Sequence, residues 1–446
     1  MKTRAFILSA FLCCFVDTGV MAQEKPERWS LQACIDYALA NNIQVKRSEV
    51  AYQSAQEEAK LAKSQYLPSM AFSTSQTFSN RAEAKNGLST GSYSSNGSYT
   101  GNYGLSASWT VFNGGERYLN VKQTGLQNSI QALAIEEAKD NIELQITQTY
   151  LQLLYAYETV KINENTLEVS EMQVKRAEEL LKAGSIAKSD LAQLEAECSS
   201  DKYQLIVAQT NLDDLKLQLK QLLELDIHEE MELVYPELSS EQVMQLLPEK
   251  SAVYQIALQT MPQVKGKELS IEAARLEKRK AYSGYMPDIQ LNASLGSGNV
   301  SASKDGFGKQ LNNNFNQNLG LSLSVPILDR RQTKTSIQKA KLQITDSELE
   351  LQNTQKELLS TIESVYLDAL SSQTRYVAAE EKVRSVSTSE ELIREQFNVG
   401  MKNTLELLTE KNNLLSARQE MIQAKYMTVM NIQLLNFYQN KPISID

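Results

Sequence analysis

The 446-residue chain carries a single histidine, His228, and four cysteines. No metal-ligand, phosphate-loop or nucleophile motif accompanies them, so an enzyme would lack its parts. His228 stands in the acidic run DIHEE, where a solvated connector residue is a simpler reading than a catalytic one. Basic charge is also short: 45 Lys and Arg face 54 Asp and Glu, a formal charge of −9. With no basic stripe to offset it, this argues against a nucleic-acid partner. Nothing calls for a cofactor or a metal.

Long apolar runs are scarce too. The run from Ala5 to Val16 follows Lys2 and Arg4 and leads through small residues to Ala22. It is shorter than the roughly 20 residues of a spanning helix, and it reads as a secretory signal peptide over 1–22 with a mature start near Gln23. Removing Lys2, Arg4 and Asp17 takes the charge from −9 to −9 − 1 = −10. Cys13 and Cys14 leave with that segment. Cys34 and Cys198 fall in unrelated helical patterns; an oxidising compartment would permit a disulfide, but no pattern brings them together. Cys34, in LQAC well past the apolar run, reads as buried filler rather than a lipid-attachment site.

What is present is an internal repeat. QVK at 44 and YLPS at 66 recur as QVK at 263 and YMPD at 285, a shift of 263 − 44 = 219. Downstream, WTVFNGGER from Trp109 matches VPILDRRQT from Val325 (325 − 109 = 216), and AGSIAKSDL from Ala183 matches VGMKNTLEL from Val399 (399 − 183 = 216). The missing residues fall in the Ser-, Gly- and Asn-rich stretches 79–104 and 296–318, where length changes cost little. The chain divides into a first repeat over 23–224, a connector over 225–250 holding Pro236 and Pro248, a second repeat over 251–440 and a tail over 441–446.

Within each repeat the helical signal is long. From Glu116 to Ala183 there is no proline and one glycine, Gly125. Ile142, Ile146, Tyr150, Leu153, Tyr157 and Val160 recur at helical steps, as do Leu351, Leu358, Ile362, Val365, Ala369 and Tyr376. The spacing predicts long helices over 116–183 and 331–399, each roughly 100 Å at 1.5 Å per residue. Each stops at a glycine, Gly184 or Gly400, suited to a left-handed cap, and a return helix follows over 187–224 or 403–438. Helices over 30–66 and 251–284 would extend the return helices end to end. Alone, these stripes fit a coiled-coil rod as well as a tube wall.

Four segments alternate with period two. They are 68–78 and 103–112 in the first half and 287–296 and 318–327 in the second, with loops over 79–102 and 297–317. Met70, Phe72, Phe78, Leu105, Trp109 and Val111 alternate with Ser, Thr, Gly and Ala, and Ile289, Leu291, Leu295, Leu319, Leu321 and Leu323 repeat the pattern. About 10 residues is the length a tilted strand needs to cross a bilayer, and small polar partners suit a watery interior. A half-buried soluble hairpin shows the same alternation. In lipid, however, four strands leave two unpaired edges, so closure requires further subunits, and a real lumen favours more than two copies.

The ordered set of SLQACIDYALANNIQVK, YLPSMAFS, a strand ending WTVFNGG, a long helix and the hairpin tips GSIAKSDL and GMKNTLEL, all occurring twice, resembles TolC-like outer-membrane efflux proteins. The resemblance covers essentially the whole mature chain. It implies a mainly α protein with a β-barrel portion: a homotrimer with a 12-stranded β-barrel in outer-membrane lipid and a 12-helix periplasmic α-barrel. It also implies a passive channel driven by an inner-membrane pump of RND or ABC type through a periplasmic adaptor that engages the hairpin tips. Carried over, those tips are Ala183, Gly184, Ser185 and Ile186, and Val399, Gly400, Met401 and Lys402.

Six residues past each tip glycine stand Asp190 and Glu406. In the family the second-half acid belongs to a constriction ring at the periplasmic entrance, where three carboxylates would favour cations. The alternative is that both acids stabilise a helix N-terminus. Thr409 stands where the family often has a second aspartate, with Glu410 beside it as a further gate candidate. Efflux of small molecules such as drugs or metals and type I protein secretion use the same kind of duct, and both stay open. An exported coiled-coil scaffold or adhesin would explain the helices but not two matched hairpins.

Overall fold

A computed structural model describes residues 28–84, 93–226, 228–236, 238–301 and 303–445. The signal peptide expected over 1–22 lies outside them. One plan is laid down twice. The first copy runs α1 (Leu31–Asn41), α2 (Ile43–Ser64), β1 (Ser69–Ala84), β2 (Tyr93–Asn113), α3 (Glu116–Lys182) and α4 (Lys188–Leu222). After a connector holding the short α5 (Ser240–Val243), the second runs α6 (Lys250–Thr260), α7 (Pro262–Tyr282), β3 (Asp288–Val300), a short α8 (Phe307–Asn313), β4 (Asn316–Ser324), α9 (Gln332–Asn398) and α10 (Thr404–Tyr438). α1 and α6 start 250 − 31 = 219 residues apart, as do β1 and β3 (288 − 69 = 219), whereas α3 and α9 start 332 − 116 = 216 apart. The length change therefore sits inside the strand hairpins.

α3 and α9 are 67 residues each, roughly 100 Å long. In the part of α3 nearer its C-terminus, buried residues follow a seven-residue seam, Ala156, Asn163, Ser170 and Ala177, facing Leu194, Asp201, Ala208 and Leu215 on α4. A period of 3.5 imposes left-handed supercoiling on packed helices. Both long helices end in a Schellman motif. Ser185 N–H donates to Leu180 O and Gly184 N–H to Leu181 O, both at 2.9 Å, and Met401 and Gly400 repeat this on Gln396 and Phe397. Gly184 and Gly400 sit at φ +72° and +79°, where a Cβ would strain the backbone. Arg331, expected to open the second long helix, is instead its N-cap at φ +69°.

The short helices abut the return helices. Asn42 separates α1 from α2; its Oδ1 accepts from Gln44 N–H at 2.8 Å and its Nδ2 donates to Leu222 O at 3.0 Å, fixing α2 on the end of α4. Around this level lies the main core, built from Trp29, Leu31, Cys34, Ile146, Tyr150, Leu153, Leu219, Leu223, Leu435 and Ile443, among others. The connector crosses it as one parallel rung: Trp29 N–H donates to Glu232 O (2.8 Å) and Val234 N–H to Trp29 O (3.0 Å). Cys34 is fully buried there, and burial pushes its thiol up to about 12.

All four strands form one antiparallel sheet in the order β1-β2-β3-β4. Three of them outrun the sequence expectation of about 10 residues, β1, β2 and β3 at 16, 21 and 13, while β4 at 9 keeps to it. Much of the expected loop 79–102 is ladder, with Ser79 opposite Ser98 and Asn80 opposite Gly97. Backbone pairing needs no apolar residue, and Ser79 and Ser98 add a hydroxyl pair at 2.9 Å. The expected loop 297–317 contains α8, held to β3 by Gln310, whose Oε1 accepts from Val300 N–H at 2.8 Å, and by Ser297 Oγ, which donates to Leu311 O at 2.6 Å. A bulge between Thr110 and Phe112 sets Phe112, not Val111, opposite Ile289.

Candidate functional site

The sheet separates two chemistries by pleat parity. On one face Phe72 pairs with Leu105 and Leu295, Met70 with Ala107, Ala293 and Leu319, and Trp109 with Leu291 and Leu321. Apart from the half-buried Leu291, these large residues are exposed in the single chain. On the other face the rows are Ser73, Gly104, Gly296 and Asn316, then Ala71, Ser106, Ser294 and Asn318, then Ser69, Ser108, Asn292 and Gly320. β1 and β4 each pair on one side only. The result is an open ribbon with an apolar face, a small polar face and two free edges. No described helix is long and apolar enough to cross a membrane, which says nothing of the sheet.

Where the sheet meets the helices, Arg117 ties the parts together. Its guanidinium donates to Gln65 O and Val111 O, both at 3.1 Å, and lies 4.9 Å from the Tyr66 ring centroid. Val111 O is the carbonyl of the bulge, so the bulge is pinned rather than slack. Trp109 Nε1 donates to Tyr66 O at 2.9 Å.

At the other end of the long helices lie the hairpin tips. Ala183, Gly184 and Ser185, and Val399, Gly400 and Met401, are exposed, with Ile186 and Lys402 half-buried. Asp190 and Glu406 both occupy the third position of a return helix. Asp190 Oδ2 accepts from Ala187 N–H at 3.1 Å; the reciprocal side-chain bond is impossible for an alanine cap. Glu406 completes a reciprocal box with Asn403, at 2.9 and 3.1 Å, and takes a 2.5 Å bond from Lys402. The Lys402 ammonium, followed by the Asn403 amide, holds the Glu406 carboxyl below its ordinary range. Glu410 is half-buried one turn further on.

Between the tips and the main core is a cluster that the sequence patterns passed over. Lys411 on α10 is 6% exposed and Asp201 on α4 is 5% exposed. Their ion pair is closed by Ser170 on α3, whose hydroxyl donates to Asp201 and accepts from Lys411 at 2.7 Å, with Glu197 3.5 Å from the ammonium. This polar junction joins helices from both repeats. The signal was there in the seven-residue seams: Ser170 and Asp201 stand on them, and Lys411 lies four residues after the buried Leu407. Charged residues on an apolar stripe are the pattern to search for. Among the described residues no group of His, Cys, Asp and Glu is placed to hold a metal ion.

A profile of the outer membrane efflux protein family matches residues 34–224 and 253–436. Outer membrane protein TolC of Escherichia coli is 22% identical over 412 residues, spanning 90% of this chain and 80% of that protein. Alkaline protease secretion protein AprF of Pseudomonas aeruginosa is 24% identical over 317 residues, 69% of this chain and 64% of that protein. Among solved structures, CusC superposes with a TM-score of 0.77 at 19% identity, covering 92% of each chain. That likeness is one of fold: long helices, return helices and a small sheet.

Proposed function

The chain belongs to the outer membrane efflux protein family, and from that premise we propose how it works as an outer-membrane efflux duct. Three copies join β4 of one to β1 of the next, closing a 12-stranded barrel in the outer membrane. Their long and return helices continue it as a 12-helix tube through the periplasm. The observation that carries this is the open ribbon: one apolar face, one small polar face and two unpaired edges. In hydrocarbon every backbone group must be paired, so such a ribbon becomes stable only when copies share edges. Apolar side chains then face lipid, and Ser, Gly and Asn line water.

The duct is passive, and the energy comes from an inner-membrane pump of RND or ABC type through a periplasmic adaptor. The exposed tips Ala183–Ile186 and Val399–Lys402 are the proposed adaptor contacts, and Asp190, Glu406 and Glu410 the proposed lining of the periplasmic aperture. Small molecules such as drugs or metals are the proposed cargo. The similarity to AprF, named for protease secretion, favours a second reading, in which the same duct serves type I protein secretion.

Planar-bilayer recording and mass measurement in detergent test the channel. A heat-modifiable trimer forming small cation-preferring pores is expected, and Glu406→Gln, which keeps the cap geometry and removes the charge, should weaken the preference. A monomer without conductance would refute the shared barrel; unchanged selectivity in the variant would remove Glu406 from the aperture.

A further inference from the structure

The turn from sheet to long helix differs between the halves in a way that duplication does not explain. In the first half it is made by Gly114 and Gly115, at φ +65° and +81°. The positions 114 + 216 = 330 and 115 + 216 = 331 hold Arg330 and Arg331 at φ +51° and +69°. Left-handed backbone is uncommon for a residue with a Cβ, so both arginines are kept against a strain that the first half avoids. A second local rule is broken beside it. From Arg330 to Thr345 the chain carries Arg330, Arg331, Lys334, Lys339 and Lys341 and no carboxylate, although cations at the start of a helix oppose its dipole. Asp329 is the acid of the turn, and its carboxylate is occupied by the N–H groups of Arg331 (3.0 Å) and Thr333 (2.7 Å). Rules broken together in one place point to a demand other than folding.

The surroundings identify that demand. Tyr66, Trp109, Phe112, Tyr118, Tyr282 and Tyr285 are exposed around the same junction, as in the aromatic girdle of an outer-membrane barrel at the water interface. Tyr118 lies under Lys122, whose Nζ is 4.8 Å from the ring centroid; the Lys122 ammonium, and after it Arg279, lowers the phenol's titration. Along the molecule one passes from apolar strand face to aromatic girdle to exposed cations, the order of acyl chain, interface and headgroup in a leaflet. The cations gather here although the chain as a whole is at −9.

We propose that Arg330 and Arg331, with Lys334, form a collar that binds the anionic headgroups of phospholipids in the periplasm-facing leaflet. The proposal rests on the reading of the sheet as an outer-membrane barrel. Guanidinium groups suit it because their planar fork engages phosphate through two parallel bonds. The strained turn fixes where both forks begin, one residue from the rigid start of α9.

The test uses the full protein reconstituted in brominated phosphatidylcholine, brominated phosphatidylglycerol and their mixtures, reading quenching of Trp109 fluorescence. The chain has two tryptophans. Trp109 is 41% exposed in the girdle, whereas Trp29 is buried beside Tyr150, roughly 50 Å down α3. Phosphatidylglycerol should be preferred on the order of tenfold at low salt, the strength expected of a few interfacial cations, and less at high salt. Arg330→Gly with Arg331→Gly restores the first-half turn; it should abolish the preference and raise Tm by a few degrees through relief of strain. If that pair does not insert, Arg330→Gln with Arg331→Gln serves the same readout. An inserted variant with undiminished preference overturns the collar alone, and a wild type that enters no bilayer overturns the barrel as well.

Discussion

Replacing Lys411 by Met tests the buried junction between the two repeats. The ammonium and the Asp201 carboxylate are both almost wholly withdrawn from water, and Ser170 spans them. Removing the cation leaves Asp201 buried with a hydroxyl for a partner, and such an orphaned charge costs about 3–5 kcal/mol. Replacing Asp201 by Leu as well removes the charge that needed a partner, so the double variant should recover most of that loss, to within about 1 kcal/mol of wild type. Denaturant melts of the detergent-solubilised protein give the cycle. Hydrogen exchange should locate the damage, since the junction lies roughly 15–25 Å from the tips and apart from the main core around Tyr150. The expected loss of protection is confined to the tip-ward parts of α3, α4, α9 and α10. If Lys411→Met alone costs less than about 1 kcal/mol, the pair is not desolvated and the reasoning is wrong.

Three further outcomes follow from single contacts. Gly400→Ala meets no atom within 4 Å but must hold φ at +79°; it should lower stability by about 1 kcal/mol through backbone strain alone, measured as a shift in the melting midpoint. Asp140 is pushed up to about 6 by burial and by Glu143, Glu136 and Glu137. A raised carboxyl binds its proton more tightly when folded, so its contribution is favourable in acid and is lost as pH rises through about 6. Asp140→Asn should therefore stabilise by about 1–2 kcal/mol at pH 7, an advantage that disappears in melts below about pH 4. Arg117→Ala removes two hydrogen bonds and a ring contact, which should cost about 2–3 kcal/mol and show as a weaker heat-resistant oligomer on gels.

Sequence pattern carried the helices because α3 and α9 hold no proline and repeat at one shift, so periodicity and copy number agreed. It carried the strand stretches around Phe72, Leu105, Leu291 and Leu321 because apolar residues alternate there. It stopped short at Phe78 and Tyr103 because beyond them the ladder is mostly small and polar residues, interrupted by Arg81, Glu83, Tyr93 and Tyr99, a sequence with no apolar period although its backbone pairs as well as any other. α8 is FGKQLNN, where nothing local distinguishes helix from loop; it is held by hydrogen bonds to Ser297 and Val300 of β3. Val111 was misplaced by one bulge, which alternation cannot reveal until the partner strand is known. At the tips, the acidic positions Asp190 and Glu406 were legible as types, but their partners Ala187, Lys402 and Asn403 emerge only when the return helix forms. The Lys411 junction needed three helices at once.

The two free edges of the sheet have a genetic consequence. In the proposed ring of three, edges that pair head to tail make every subunit both a donor and an acceptor. A chain with an intact β4 and a β1 blocked by proline would still be accepted by a neighbour, and would then leave the ring without closure. In cells making equal amounts of both chains, about one ring of three in eight would be wholly wild type. Damage to β1 would thus behave as a dominant trait, whereas a truncation that removes both edges would be silent beside a good copy.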